Sequence, residues 1–180
     1  MANDHDHGAH EHHHDHDHHE HDLDAASVAI YTISSTRTLE EDPAGDAIEA
    51  ILDHAGIETA ERAVVPDDAA AITETVEGAV RAPETDAVVT TGGTGVTPDD
   101  VTIEAVEALF EKGLPGFGEL FRTLSYEEVG TRVVATRATA GIVDSTPVFC
   151  LPGSENAARL GAEELIAPEV AHLAGLAGRD

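Results

Sequence analysis

Val88-Val89-Thr90-Thr91-Gly92-Gly93-Thr94-Gly95-Val96-Thr97-Pro98-Asp99-Asp100-Val101-Thr102 moves from a short apolar run through three glycines into the start of a helical pattern. The opening run, preceded by Asp86-Ala87, reads as a buried strand, because β-branched residues suit a pleated surface packed on both faces. Glycines allow positive φ and let a ligand approach without a Cβ in the way. Exposed N–H groups in such a loop, with a helix N-terminus behind it, favour phosphate or another anion. The spacing is neither Gly-x-Gly-x-x-Gly nor Gly-x-x-x-x-Gly-Lys-Ser/Thr, so the dinucleotide fingerprint and the P-loop are excluded. A tight turn before a helix is the plain alternative for this loop taken alone.

Working outward, strands and helices alternate. Val28 to Ser34 reads as a first buried strand, followed by the polar loop Ser34-Ser35-Thr36-Arg37-Thr38. Apolar residues at helical spacing predict a helix over 43–55, stopped by Gly56. A strand over 60–65 ends at Pro66, and a second helix is expected over 69–82. The glycine loop leads to a third helix, expected over 100–112, with Gly113 and Pro115 ending it. Gly116-Phe117-Gly118 reads as a hinge-like loop before a helix over 119–128. Strands are expected over 132–139 and 146–151, joined by a turn at Val143-Asp144-Ser145. Ser154 is a good N-cap for a helix over 155–166, and a short helix from Pro168 closes the chain.

This alternation predicts an α/β fold of three layers, a mainly parallel sheet with helices on both faces. Ligands in such folds sit outside the carboxyl ends of the strands. Four polar segments fall there: Ser34 to Thr38, Pro66-Asp67-Asp68, Gly92 to Asp100, and Pro152-Gly153-Ser154. Their convergence on one sheet edge makes the glycine loop a candidate site.

The 180 residues fit one domain, 23–180, behind a tail, 1–22. Aromatics are few and Trp is absent, so Val, Ile, Leu and Ala must fill the core. There are 36 Asp and Glu against 9 Lys and Arg, a net charge of −27, and the single lysine is Lys112. A surface so rich in carboxylate and so poor in lysine reads as adaptation to very high salt. The same balance argues against nucleic-acid partners, which need Lys and Arg to replace counterions. Cys150 is the only cysteine, so no intrachain disulfide or thiolate zinc cluster is available. No segment approaches the length that spans a bilayer, and the polar N-terminus carries no signal-peptide pattern, so a cytoplasmic protein without a membrane partner is expected.

Ten of the twelve histidines lie in the tail, alternating with Asp and Glu. No apolar residue there supports a core, so disorder is expected. His12, His13, His14, His16, His18 and His19, interleaved with carboxylates, are candidate ligands for a transition-metal ion. A solvated tail with incidental metal affinity is the competing reading.

Thr91-Gly92-Gly93-Thr94-Gly95 with Asp100-Val101-Thr102, Gly116-Phe117-Gly118-Glu119-Leu120-Phe121-Arg122, Leu124-Ser125-Tyr126-Glu127-Glu128-Val129-Gly130 and Leu151-Pro152-Gly153-Ser154 stand in that order along the chain. Together they resemble the MoaB/MogA family of molybdenum-cofactor biosynthesis proteins. The middle pieces resemble the MoaB branch in particular. The resemblance implies a molybdopterin-binding fold assembled as homotrimers or homohexamers. It also implies Mg-dependent adenylylation of molybdopterin by ATP, with pyrophosphate released.

The family's two acidic positions fall on Asp67 and Asp100, as catalytic residues and Mg ligands. Substrate contacts are expected from Gly92, Gly93, Thr94, Gly95, Ser34, Thr36, Glu119, Arg122, Ser125, Pro152, Gly153 and Ser154. Two positions depart from the pattern: Asp99 stands where relatives commonly carry a basic residue, and Ala44 where they often carry Ser. Helix capping is the plain alternative for Asp67, Asp100 and Ser154, and a solvated position or a salt bridge for Arg122. For the whole protein, one alternative is a non-catalytic molybdopterin-binding scaffold of the same fold. Another is a metal-handling protein acting through its His-rich tail.

Overall fold

A computed structural model describes residue 23 and residues 25–179. The tail and its six candidate metal histidines lie outside the described residues. The six strands are β1 (Ser27–Ile33), β2 (Glu58–Val65), β3 (Ala87–Thr91), β4 (Lys112–Gly113), β5 (Thr139–Val143) and β6 (Thr146–Leu151). They form one sheet in the order β2-β1-β3-β6-β5-β4. β2, β1, β3 and β6 run parallel, and β5 and β4 add an antiparallel edge. The helices are α1 (Pro43–His54), α2 (Ala69–Val80), α3 (Thr102–Glu107), α4 (Pro115–Val129), α5 (Glu155–Gly161) and α6 (Ala167–Ala177).

Alternate residues of each strand point to opposite faces, and each face is buried. Val28, Ile30, Val89, Phe149 and Leu151 join Ile48 and Leu52 of α1, Phe121 of α4 and Val170 of α6. Ala29, Tyr31, Val88, Val148 and Cys150 face the other way, onto Ile72 and Val76 of α2 and Ile103 and Val106 of α3. Burial on both faces is why these strands read as continuous apolar runs. Cys150 is fully buried, and that burial pushes its thiol pKa up to about 12. Among the described residues no helix is long and apolar enough to cross a membrane.

The expected elements differ from the observed ones in four places. The third helix stops at Glu107 because the chain is drawn into sheet pairing: Glu111 N–H donates to Ile142 O at 2.9 Å and Leu114 N–H to Ala140 O at 2.7 Å. The hinge expected at Gly116 to Gly118 is the first turn of α4, opened by Pro115. Gly118 is required there by close approach, since a Cβ would sit 2.6 Å from Ala138 O.

The strand expected over 132–139 is instead a 3₁₀ turn over Gly130–Ala135, with β5 starting at Thr139. The tight turn at Asp144 (φ 48°) and Ser145 (φ 62°) pins Val143 opposite Thr146, so Thr139 pairs with Cys150, one residue short of the end of β6. Residues before Ala138 run past the carboxyl edge, where no strand can pair with them. Finally, α5 and α6 are one continuous helix through a π turn at Ala162–Ile166. Pro168 stands just after this wide turn, where the missing N–H and the ring are tolerated.

Candidate functional site

The carboxyl edge of the sheet carries a cavity of about 550 Å³. Its floor is the end of β1 and β3, with the glycine loop on one side and Pro152-Gly153-Ser154 on another. Ser34, Thr36, Gly92, Gly93, Thr94, Gly95, Asp100, Pro152, Gly153 and Ser154 meet there as the sequence predicts. Thr91 Oγ1 donates to Pro152 O at 2.9 Å, which holds two of these segments together.

The glycine loop is shaped by the residues behind it. Gly92 takes φ 109° and Gly93 φ 62°. Thr102 Oγ1 donates to Gly92 O at 2.9 Å, and Thr102 N–H donates to Gly93 O at 3.1 Å. In a trans peptide the carbonyl and the following N–H point in opposite directions. Turning those two carbonyls onto Thr102 therefore aims the N–H groups of Gly93 and Thr94 the other way. Gly92 N–H is not among these free donors, since it donates to Leu151 O at 3.0 Å. The Gly95 amide lies beside the Asp100 carboxylate and favours its ionised form. A Cβ on Gly92 would sit 2.4 Å from Ile33 O. Together with the positive φ, this predicts that Gly92→Ala costs about 3 kcal/mol or more. The urea midpoint is the measurement, and an unchanged midpoint would contradict the loop geometry.

Asp100 does not cap α3; the capping position is Val101, and no side chain serves it. The Asp100 carboxylate instead closes a turn, accepting from Thr97 Oγ1 at 2.6 Å and Thr97 N–H at 2.8 Å. The Thr97 hydroxyl bond, with the Thr97 and Gly95 amides and the Arg137 charge, outweighs partial burial and holds its pKa below the usual carboxylate range. Asp67 lies beside the cavity rather than on its wall. Its carboxylate accepts from Ser35 N–H at 2.7 Å, and Ser35 Oγ accepts from Asp67 N–H at 3.0 Å. The cap of α2 is the next residue, Asp68, whose Oδ1 accepts from Ala71 N–H at 2.9 Å. Ser34 Oγ accepts from the amides of Thr36 and Arg37, so Ser34 folds its own loop. Ser154 caps α5 as expected, accepting from Ala157 N–H at 3.4 Å.

Two further spaces adjoin the cavity. One of about 470 Å³ holds Ser125 with Phe121, Val129, Leu160 and Asn156, and shares Arg132, Thr136, Pro152 and Ser154 with the first. The other, of about 590 Å³, holds Glu119 and Arg122 with Glu104 and Arg137. Arg122 is thus turned from the glycine loop, its Nη1 donating to Ala138 O at 3.4 Å.

The cations that do reach the first cavity are Arg37 and Arg132, neither of which the sequence singled out. Arg37 lies 3.8 Å from the buried Asp42 carboxylate. Burial works against that charge, but hydrogen bonds from Thr32, Gly45 and Arg62 keep the Asp42 pKa below its ordinary value. Thr136 Oγ1 is buried between all three spaces and has no hydrogen-bond partner. A buried unpaired hydroxyl at a cavity wall suits a polar ligand. Among the described residues no group of three or more His, Cys, Asp or Glu is gathered for a metal ion.

The family described as "Probable molybdopterin binding domain" matches residues 29–172. The chain belongs to the MoaB/MogA family. It is 45% identical over 145 residues to "Molybdenum cofactor biosynthesis protein B" of Bacillus subtilis, covering 80% of this chain and 85% of that one. A crystal structure of a molybdenum cofactor biosynthesis protein B superposes with a TM-score of 0.84 at 41% identity, over 87% of this chain and 98% of that chain. The tungsten cofactor synthesizing protein MoaB from Pyrococcus furiosus gives a TM-score of 0.74 at 39% identity, over 87% and 99%. The MoaB/MogA match thus reaches all six strands, missing only the first two residues of β1, and covers every segment that lines the cavity.

Proposed function

We propose that the protein adenylylates molybdopterin, using ATP and releasing pyrophosphate, as a step of molybdenum-cofactor biosynthesis. An oxygen of the molybdopterin phosphate attacks the α-phosphorus of ATP. The new P–O bond forms there, and the bond to the β-phosphate bridging oxygen breaks, so pyrophosphate carries away the electron pair. The observation that carries this reading is the meeting of Asp100, Arg37, Arg132 and two loop N–H groups in one cavity, on a molecule that is otherwise strongly anionic. Two phosphate-bearing substrates need such a local reversal of charge. The adjoining space lined by Phe121, Val129 and Leu160 gives a planar ring an apolar wall.

The chain's own contribution is positioning and charge stabilisation, the usual means in phosphoryl-group transfer. Gly93 and Thr94 N–H groups bind phosphate oxygen. Arg37 and Arg132 balance charge that develops on the leaving pyrophosphate. Ionised Asp100, a hard oxygen ligand, suits Mg²⁺ brought in on the phosphates. Magnesium bound there supplies charge neutralisation between the two substrates. In this reading Asp67 serves by holding Ser35, and with it the loop that presents Arg37. Assembly as a homotrimer or homohexamer belongs to the proposal. It is supported by exposed apolar side chains at Val96, Leu120, Tyr126, Val129 and Val134.

The test is incubation with ATP, Mg²⁺ and molybdopterin in molar KCl, scoring adenylylated molybdopterin and pyrophosphate. Both products are expected in equal amounts. Molybdopterin binding with ATP left intact would instead establish the non-catalytic scaffold.

A further inference from the structure

Arg137 stands outside the cavity, one residue after Thr136 on its wall. From there it reaches the glycine loop at three points. Its Nε donates to Gly95 O at 2.7 Å, its Nη2 to Asp100 O at 3.0 Å, and its backbone N–H to Thr94 O at 3.2 Å. Its Nη1 is paired with the Glu104 carboxylate on α3. One guanidinium therefore spans the two ends of segment 95–100, and the ion pair to α3 fixes its plane.

The same two residues, Gly95 and Asp100, frame the carboxylate proposed to work in the cavity: a Cβ added to Gly95 would sit 2.7 Å from Asp100 Oδ2. The bond to Gly95 O and the bond to Asp100 O set the distance between Gly95 and that carboxylate. A planar fork makes both bonds at once; a single ammonium on a flexible stem does not. The loop has no other cationic partner among the described residues, and its own Thr97 turn fixes only the Asp100 side.

We propose that Arg137 is a positioning residue for adenylyl transfer, holding Asp100 in register with the loop N–H groups from behind the cavity. This rests on the transferase reading above. Arg137 touches no substrate, so its loss should act on kcat and spare the KM for ATP.

The test compares wild type, Arg137→Lys and Arg137→Ala, the last with and without added guanidinium at concentrations far below denaturing. Two readouts are taken in molar KCl: steady-state adenylylation, and amide hydrogen exchange in peptides covering 93–101. Arg137→Ala is expected to lose about 100-fold in kcat with KM for ATP little changed. Exchange over 93–101 should rise about tenfold, with β1 and α1 unaffected. Guanidinium should restore a substantial part of both, and Arg137→Lys should restore neither.

Near-wild-type kcat in Arg137→Ala, or a parallel rise in exchange across the whole domain, would overturn the proposal. A wild type without transferase activity would sink the functional reading alone. The exchange comparison then decides the positioning role: loop exchange unchanged in Arg137→Ala refutes it, and a guanidinium-reversible rise confined to 93–101 supports it.

Discussion

Asp100→Asn is expected to lower kcat for adenylyl transfer by about 10²–10³-fold while the protein stays folded. The substitution keeps the shape of the side chain and an oxygen that can accept from Thr97. It removes the negative charge and replaces one of the two acceptor oxygens with a donor. The loss should therefore fall on the chemical step rather than on the sheet beneath it. The pH dependence follows from the same contacts. A carboxylate whose folded pKa is depressed contributes stability above its unfolded value of about 4, and that contribution fades as pH falls through the folded value. The stability gap between wild type and Asp100→Asn should therefore be open at neutral pH and close on acidification. Urea midpoints across that range, with kcat measured at neutral pH, check both statements. Normal turnover in Asp100→Asn would remove Asp100 from the chemistry and leave it as a turn-former.

The second large effect concerns salt. We expect ATP affinity and self-assembly to rise about tenfold or more between dilute buffer and molar KCl. In dilute buffer the −27 charge of the chain repels ATP and neighbouring copies alike. At about 1 M salt the Debye length falls to roughly 3 Å, so only groups touching the ligand still count. In the cavity those groups are Arg37, Arg132 and the N–H groups of Gly93 and Thr94. Their attraction survives at contact distance, while repulsion from the distant carboxylates is screened. Equilibrium ATP binding and sedimentation across the salt range measure the two trends. A steady decline of both with added salt would refute adaptation of this surface to high salt.

Much of this architecture was legible locally. The β3 run ends at Thr91, where the sequence places it, because β-branched residues and glycines are local signals. The convergence of the loops after β1, β3 and β6 followed from parallel topology alone. What was not legible depends on distant partners. Val133 and Val134 look like a strand, yet β6 has already ended where they would pair, so Val134 is left 84% exposed. That displacement carries Arg132 and Thr136 over the cavity and Arg137 behind it. Arg122 is expected to contact substrate because it sits in the motif that resembles the MoaB branch, but its Nη1 donates to Ala138 O on the far side from the glycine loop. Neither of the adjacent acids Asp67 and Asp68 announces which one caps α2. The turn at Pro66 decides it, giving the cap to Asp68 and sending Asp67 to Ser35.

The fully buried Cys150 has a practical consequence. A chain without Trp offers little fluorescence change on unfolding, and few aromatic side chains are present to replace it. A lone thiol on β6, facing the α2 and α3 layer with its ionisation suppressed, is shielded from disulfide reagents until that layer lifts off the sheet. Its labelling rate therefore counts the openings that part this helix layer from the sheet, and ignores fraying at the loops around the cavity. That makes one native sulfur an internal clock for loss of this core, readable in concentrated salt and without introducing any reporter.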